Sequence, residues 1–329
     1  MDHPYMDDLD AYPMPDWAEL VLMRLAYPRA LSIEVDAARI GAPVLRQLLP
    51  DSAPGGFSAI RMSGLGKCIR AIHYDVMGYP NSGRKIDGRT RATFAMGDMA
   101  EQLLMVTLAE VVQDEMIDGH GWYLKDFASG EGQGKVTLEC GKYTIPGHPD
   151  GMLLNSDIVE KVVVECKSAS SYSFASWRKS LKEGKTPWTP AESYWWQIQG
   201  YMHATGAAYG YVLALCKDSG AIMGFYVNRE PDFMNMLKGH LGQLDWFSGS
   251  GEDPPRTLAD GTELGPVRKL SKRTGKPLKG DGMLAWQCRY CSHFRRCWGA
   301  ALREGVVTDY RGMPSLGLFI QSDDTDADR

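Results

Sequence analysis

Two short apolar runs separated by a polar break are the most distinctive pattern along the chain. Residues 147–154 and 162–167 lie on either side of an Asn-Ser-Asp sequence, which is typical of a turn. Apolar runs of this length, divided in this way, predict two adjacent strands of a hairpin. Side chains alternate between the two faces of a strand. Glu165 and Lys167 are therefore expected on one face and Cys166 on the other.

A group of charged residues is predicted at the end of this hairpin. Asp150 on the first strand can lie level with Glu165 and Lys167 on the second. One interpretation is a solvent-exposed hairpin in which acid and lysine form a cross-strand pair. The other is a functional site, because burying an isolated charge costs several kcal/mol unless the charge is paired or bound to a metal ion.

The apolar spacing elsewhere predicts further strands and several helices. Two strands are expected at 209–216 and 221–228, joined by a Lys-Asp-Ser-Gly turn. The predicted helices span 17–27, 42–49, 63–78, 90–112, 168–183, 189–206 and 231–247. The helix at 189 is expected to begin with a threonine cap followed by a proline.

Two of these helices carry candidate polar residues, and in the first of them the face is expected to approach the sheet. Glu101 shares a face with Gly97 and Leu104, and an acid in that position needs a basic partner, a metal ion or a bridging water. Gln197 and Tyr201 are four residues apart and both form hydrogen bonds. A chance polar pair on an amphipathic helix is the alternative for Gln197 and Tyr201.

The acidic residues are concentrated at the two ends of the chain. The formal net charge is -5 over 329 residues, but six acids and no Lys or Arg lie in the first twenty residues. Residues 321–329 add four Asp and one Arg, so that positions 21–320 hold 35 basic and 31 acidic residues, a net +4. This charge is compatible with a nucleic-acid ligand, and the acidic ends are expected to be disordered.

No segment approaches the apolar length of a membrane span, and the acidic start does not resemble a signal peptide. We therefore expect a cytoplasmic protein with no membrane partner. Seven cysteines in such a chain indicate metal ligands or free thiols rather than disulfides. A run of six Lys and Arg residues between 268 and 279 is either a solvated loop or a phosphate contact.

Three cysteines close together near the end of the chain predict a metal site. Cys288, Cys291 and Cys297 fall within ten residues, a spacing typical of metal ligands. Cys68 supplies a fourth thiolate if the two ends of the chain meet, which would suit an iron-sulfur cluster or a structural zinc. His293 as the fourth ligand to zinc is the competing choice.

Taken in order between 63 and 298, these motifs resemble the RecB-like branch of the PD-(D/E)XK nucleases whose members carry a [4Fe-4S] cluster. That branch includes the CRISPR-associated adaptation nuclease and the AddB-type recombination nuclease. The residues that carry the resemblance are Cys68, Glu101, Pro149-Asp150, Glu165-Cys166-Lys167, Gln197, Tyr201, Cys288, Cys291 and Cys297. The cluster-bearing relatives usually have histidine where this chain has Glu101, so the metal preference is expected to differ while activity survives.

The resemblance implies an α/β fold with a restriction-endonuclease-like core, a mixed central sheet flanked by helices. It also implies an iron-sulfur cap that joins the N- and C-terminal segments and through which a DNA strand passes. The expected domains are an N-terminal extension (1–60), the nuclease core (61–247), a linker and basic loop (248–282), the cysteine segment (283–320) and an acidic tail (321–329).

The resemblance further implies the roles of the acidic residues and the lysine. Asp150 and Glu165 would bind one or two Mg²⁺ or Mn²⁺ ions together with the backbone carbonyl of Cys166. Glu101 would reach a metal ion directly or through water. Lys167 would orient the attacking water and stabilise the charge of the transition state.

The remaining residues of the motif are implied to act by positioning. Gln197 and Tyr201 would position DNA or the loop that carries the metal ligands. Cys68 and the three late cysteines would hold the [4Fe-4S] cluster, with structural Zn²⁺ as the alternative.

The implied function is metal-dependent exonuclease action on single-stranded or end-bearing duplex DNA in recombination, repair or phage DNA processing. A helicase or a single-strand annealing protein is the expected partner. Two alternatives stay open. One is a catalytically silent iron-sulfur subunit that binds DNA within a helicase-nuclease or recombination complex, and the other is a nuclease that holds zinc and no iron.

Overall fold

A five-stranded mixed sheet with helices on both faces forms the centre of the molecule. The computed structural model describes residues 15–26, 60–80, 88–113, 121–125, 134–155, 160–267, 283–289 and 291–303. The strands are β1 (Trp122–Lys125), β2 (Val136–Cys140), β3 (Tyr143–Gly147), β4 (Gly151–Asn155), β5 (Glu160–Ala169), β6 (Tyr209–Cys216), β7 (Ile222–Asn228), β8 (Pro266–Val267) and β9 (Met283–Leu284). The central sheet has the order β1-β4-β5-β6-β7, with β5 and β6 parallel and the other pairs antiparallel.

The helices are α1 (Trp17–Ala26), α2 (Ile69–Val76), α3 (Gly88–Gln113), α4 (Ser171–Lys182), α5 (Ser193–Thr205), α6 (Phe233–Ser250), α7 (Trp286–Arg289) and α8 (Phe294–Arg303), with a short 3₁₀ turn at Met62–Gly64. Helices α1 and α3 pack on one face of the sheet, and α5 packs on the other with β2 and the 3₁₀ turn. The predicted mixed sheet flanked by helices is confirmed. None of the helices in these ranges is long and apolar enough to span a membrane.

The hairpin predicted from the two apolar runs is formed by β4 and β5. Gly151 pairs with Val164 in an antiparallel ladder. The residue before β4, Asp150, therefore lies level with Glu165. Strand β5 is buried on both faces because it lies in the middle of the sheet, which accounts for its continuous apolar run.

The two faces of β5 face different parts of the core. Val162, Val164 and Cys166 join the apolar cluster around α1 and α3, while Val163 joins the cluster on the α5 side. By the alternation of side chains, Glu165 belongs to the face of Val163. The predicted separation of Glu165 from Cys166 is confirmed.

Two predicted helix starts are wrong. The helix expected at 63 begins at Ile69 with Cys68 as its N-cap residue, because the chain first forms the 3₁₀ turn. The helix expected at 189 begins at Ser193 with Glu192 as its N-cap residue. The Glu192 N–H donates to the Thr189 carbonyl oxygen over 2.8 Å, so the Thr-Pro sequence forms a separate turn instead of the first helical turn.

The segment from 251 to 267 packs back onto α2. The Ile69 N–H donates to the carbonyl oxygen of Thr257 over 2.9 Å, and the Arg70 Nε donates to that of Pro254 over 2.5 Å. This contact brings the chain after α6 close to its early helix. The predicted helix at 42–49, the predicted basic loop at 268–279 and the acidic tail lie outside the described residues. Of the predicted N-terminal extension, residues 15–26 and 60 are described, and α1 packs against the core. The domain boundaries stay predictions.

Candidate active site and cysteine cavity

Asp150 is fixed against the strand that carries the other candidate residues. Its Oδ2 accepts a hydrogen bond of 2.7 Å from the backbone N–H of Cys166. The N–H and C=O of one residue point to the same side of a strand. The carbonyl of Cys166 therefore faces the edge of β5 where Asp150 lies, beyond the start of β4.

Glu165 is almost completely buried, and only one of its two carboxylate oxygens has a hydrogen-bond partner among the described residues. It is 1% exposed, and the Lys167 Nζ donates to its Oε1. Its second oxygen, Oε2, is buried and has no hydrogen-bond partner among the described residues. An unsatisfied carboxylate oxygen in such a place costs stability and is available to a ligand.

Burial and neighbouring charges both shift the pKa values of Glu165 and Lys167, in part in opposite directions. Burial first, and then repulsion by Asp150, raise the pKa of the Glu165 carboxyl well above its usual range, while Lys167 opposes that shift. Burial would lower the pKa of Lys167, but attraction to Glu165 and Asp150 outweighs it and the pKa is raised. The ammonium of Lys167 is therefore protonated at neutral pH.

Glu101 belongs to the same electrostatic group although it comes from α3. Burial, followed by repulsion from Asp150, raises the pKa of its carboxyl to about 8. A Cβ atom at Gly97, one turn earlier, would lie 3.3 Å from the Ser168 Oγ of β5. Glycine thus allows the close approach of helix to sheet that the sequence indicated.

Gln197 and Tyr201 connect α5 to the loop that carries Asp150. The Tyr201 hydroxyl donates to the carbonyl oxygen of His148 over 2.9 Å and accepts from the Gln197 Nε2 over 3.2 Å. A Cβ atom at Gly147 would come within 2.6 Å of the Tyr201 ring, so this contact requires glycine. The two α5 residues therefore hold the backbone two residues before Asp150.

The oxygen atoms of Glu101, Asp150, Glu165 and the Cys166 carbonyl are ligands of the kind that a divalent cation such as Mg²⁺ prefers. Three carboxyl groups, one backbone carbonyl and the ammonium of Lys167 are gathered where β5 passes the start of β4. Oxygen ligands of this kind suit Mg²⁺ or Mn²⁺. The buried Oε2 of Glu165 without a partner agrees with this interpretation. Across the described ranges, no three His, Cys, Asp or Glu side chains are already grouped as the ligands of one metal ion.

One neighbour of this site was missed by the sequence analysis. The ring of Tyr194, in the first turn of α5, lies with its centroid 5.2 Å from the Lys167 Nζ. Tyr194, Gln197 and Tyr201 have the spacing i, i+3, i+7 and so share a helix face. Extending the predicted pair of α5 residues by one turn would have found it.

The four cysteines expected to bind a cofactor line a single cavity. Cys68, at the start of α2, meets Cys288, Cys291 and Cys297 from the C-terminal segment, so the two ends of the described chain do come together. The other residues that line this cavity are Ala71, Tyr74, Arg256, His293, Phe294 and Trp298. The remaining cysteines, Cys140, Cys166 and Cys216, are buried free thiols elsewhere.

Three thiols of the cavity, those of Cys68, Cys288 and Cys291, have raised pKa values and are protonated at neutral pH. Burial raises the pKa of Cys68, that of Cys288 to about 12 and that of Cys291 to about 11, and the neighbouring thiols add to each shift. A cationic metal centre would favour the thiolate forms. The donor set of four thiols around a cavity therefore fits an iron-sulfur cluster or zinc.

Two further side chains border the cysteines. The Arg256 Nε donates to the Cys297 Sγ over 3.0 Å, and the guanidinium stacks on Trp298 with 4.0 Å to the ring centroid. The His293 Nε2 lies 2.8 Å from the Asp75 Oδ1, and its Nδ1 is buried without a partner among the described residues. A carboxylate on the far nitrogen is typical of a ligating histidine, so the competing role of His293 in a zinc site stays open.

Comparison with known proteins gives one family match and several distant structures. Residues 134–208 match the model of the YqaJ-like viral recombinase domain. This segment is less than a quarter of the chain, and it contains Asp150, Glu165, Lys167, Gln197 and Tyr201. No curated protein that was compared matches this chain.

Three of the similar solved structures are described as SSO0001, an alkaline exonuclease (LHK-Exo) from Laribacter hongkongensis and a phage-related exonuclease from Haemophilus somnus 129PT. SSO0001 has 16% identity and a TM-score of 0.38, with 66% of this chain and 88% of that chain covered. The Laribacter protein has 12% identity and a TM-score of 0.32, with coverage of 67% and 94%. The Haemophilus protein has 13% identity and a TM-score of 0.33, with coverage of 60% and 97%.

Proposed function

We propose that this chain is a PD-(D/E)XK nuclease that acts as a divalent-metal-dependent DNA exonuclease in recombination, repair or phage DNA processing. The observation that carries the proposal is the buried Oε2 of Glu165, which has no partner among the described residues and lies in a group with Asp150, Glu101 and Lys167. The match of 134–208 to a viral recombinase domain supports it.

Asp150, Glu165, the Cys166 carbonyl and Glu101 would hold Mg²⁺ or Mn²⁺. When bound, such an ion polarises the phosphodiester and makes water a stronger nucleophile near neutral pH. The carboxylates would hold the ion beside β5, next to the start of β4. Asp150 is oriented for this by the hydrogen bond from Cys166.

Lys167 would bind the attacking water and a non-bridging phosphate oxygen through its Nζ. Its ammonium stays charged because the carboxylates around it raise its pKa. A positive charge beside the reacting phosphate stabilises the negative charge that builds up in the transition state. The side chain of Lys167 is 18% exposed, whereas that of Glu165 is 1% exposed, so the lysine is the member of this pair that substrate can reach.

Gln197 and Tyr201 would act as positioning residues. Their hydrogen bonds fix the carbonyl of His148 and, through it, the loop that ends at Asp150. A shift of that loop by about 1 Å would cost activity on the order of a hundredfold.

The cysteine cavity would hold a [4Fe-4S] cluster with a structural role, and structural zinc is the alternative. Hydrolysis of a phosphodiester needs no redox step, so the cluster would serve to join α2 to the C-terminal helices. Visible absorption and an iron and zinc analysis of anaerobically purified protein separate the two alternatives. A colourless protein that contains zinc and no iron would contradict the cluster.

The substrate would be single-stranded DNA or duplex DNA with an end, supplied or used by a helicase or an annealing protein. The test is digestion of end-labelled linear DNA in Mg²⁺ or Mn²⁺ by wild type and by Lys167→Ala. We expect a loss of at least about a hundredfold in the variant. Lys161→Ala is the matched control, because Lys161 lies on the same strand, six residues or about 20 Å away.

If wild type and Lys167→Ala both bind DNA and neither digests it, the catalytic proposal is wrong. A DNA-binding subunit without activity would then describe the protein better. If both digest it equally, the site lies elsewhere in the chain.

A further inference from the structure

The ammonium of Lys167 has two partners of different kinds. On one side it donates to the Oε1 of Glu165. On the other it lies over the ring of Tyr194, 5.2 Å from the centroid. A carboxylate occupies an N–H donor of the lysine, whereas an aromatic face attracts the positive charge and leaves the donors free.

The ring of Tyr194 is fixed by its surroundings. It packs against Trp188 with ring centroids 5.2 Å apart, and Trp188 is 1% exposed and packs on Phe225. A Cβ atom at Gly66 would lie 2.5 Å from the Cα of Ser193, so the start of α5 is pressed against the neighbouring loop. Tyr194 is nevertheless 38% exposed, so its ring borders the open side of the site.

Binding of a divalent cation by Glu165 would change the attraction of Lys167 to one of its two partners and not to the other. The carboxylate then shares its negative charge with the ion, and the ion repels the ammonium. The attraction between Lys167 and Glu165 weakens, while the attraction to the neutral ring of Tyr194 persists. The lysine then needs the ring to keep its place beside the substrate.

We propose that Tyr194 is a positioning residue that holds the Lys167 ammonium at the site while the Glu165 carboxylate is engaged by a divalent cation. The proposal rests on the proposed function and deepens it. It predicts that the ring promotes both catalysis and cation binding, because a lysine held by the ring competes less with the cation for the Oε1 of Glu165.

The test compares Tyr194→Phe and Tyr194→Leu, with Tyr172→Leu as the matched control because Tyr172 is 86% exposed on α4. Phenylalanine keeps the aromatic face, so kcat on end-labelled DNA should stay within about twofold of wild type. Leucine should lower kcat about tenfold, the scale of a partly buried cation–π contact, with little change in KM. Electron paramagnetic resonance of Mn²⁺ should show weaker binding to Tyr194→Leu than to wild type.

A second series guards against a folding defect in the leucine variant. Phenylalanine carrying one, two or three fluorine atoms at position 194 keeps the ring shape while weakening its negative face. We expect kcat and Mn²⁺ affinity to fall step by step along this series. A flat series, or a rise in KM alone, would overturn the proposal and indicate that the ring contacts DNA or only packs.

Failure of the proposed function is recognised separately. If wild type does not digest DNA, the nuclease proposal fails, while the Mn²⁺ titration still tests the link between Tyr194 and Lys167. If wild type digests DNA and neither kcat nor Mn²⁺ affinity responds to the ring, only the role of Tyr194 is wrong.

Discussion

The charged cluster of Glu101, Asp150, Glu165 and Lys167 and the cysteine cavity are both sets of ionisable side chains. The fold holds them in place in different ways. Glu165 and Lys167 lie on the middle strand of the sheet, and Asp150 is bonded to the backbone of that strand. The cysteines come from two distant segments that meet over a small apolar cluster around Leu264, Leu284, Phe294 and Trp298.

This difference indicates how each region depends on its ligand. The backbone of the sheet sets the positions of Asp150 and Glu165 whether or not a cation is bound. The cysteine region buries little apolar surface of its own, and small clusters of this kind need a metal or a covalent link to be stable. We therefore expect the first region to lose activity, and the second to lose order, when its ligand is removed.

The largest expected effect is on activity. Asp150→Asn keeps an oxygen that can accept the Cys166 hydrogen bond but removes the negative charge, so the nuclease rate should fall at least about a hundredfold with a nearly unchanged melting temperature. The measurements are DNA digestion and thermal unfolding. Asp245→Asn, at an exposed ion pair with Lys142, is the control, and equal losses in both variants would contradict the site.

Cys68→Ala should loosen the C-terminal cysteine segment and leave the central sheet unchanged. If Cys68 is a fourth ligand as proposed, its loss should open the cysteine region, and limited proteolysis should cut within 284–303 about tenfold faster, on the scale of roughly 1.4 kcal/mol of local stability. Removing the metal from wild type should give the same cleavage pattern. Cys140→Ala, a buried thiol in β2, is the control and should leave that segment protected.

Glu101→Gln should stabilise the metal-free protein as pH rises. The folded pKa of Glu101 is about 8 and its unfolded value is near 4.3, so folding is favoured fully below the unfolded value. That stability is lost as pH rises toward 8. Only wild type suffers this loss, because glutamine does not ionise. The melting temperature of the variant should therefore exceed that of wild type by a few degrees at pH 8 and match it at pH 4.

If Glu101 is a metal ligand as proposed, added Mg²⁺ should narrow the difference in melting temperature, because it would bind wild type better than Glu101→Gln and stabilise the folded form. Glu183→Gln, an exposed residue after α4, is the control. A variant that is less stable than wild type at pH 8 would contradict the repulsion between Glu101 and Asp150.

The smallest expected effect concerns Arg256. Lysine keeps the charge but loses the paired donors that reach the Sγ and the carbonyl oxygen of Cys297. Losing about 1 kcal/mol of local stability should make amide hydrogen exchange in 291–303 about fivefold faster in Arg256→Lys. Arg229→Lys, an exposed residue after β7, should leave that exchange unchanged.

Local patterns predicted the central hairpin because strand alternation and turn composition act over a few residues. The register of Gly151 with Val164 then brought Asp150 level with Glu165 as expected. Gly97 likewise indicated the close approach of α3 to the sheet, because a Cβ atom there would lie only 3.3 Å from the Ser168 Oγ.

Local patterns failed where tertiary contacts overrode them. Thr189 and Pro190 suit a helix start, yet the Pro190 carbonyl accepts from the Trp196 Nε1 over 2.9 Å, and this contact accompanies a turn before α5. The β2–β3 hairpin was missed, since its second strand contains Pro146. The helix spacing of Tyr194 with Gln197 and Tyr201 could have placed it on the right face of α5, but its contact with Lys167 joins two separate elements. The contact of Arg256 with Cys297 also joins residues far apart in sequence, and no periodicity predicts it.

The parallel pairing of β5 with β6 has a consequence for redesign of this protein. A parallel pair needs a return connection along the sheet, and here α4 and α5 are part of that connection. Since α5 also carries Tyr194, Gln197 and Tyr201, deleting one residue early in this helix would rotate its earlier part by about 100° relative to the rest. A deletion in this connection would therefore disturb the candidate site even though the connection lies outside the strands that carry the charges.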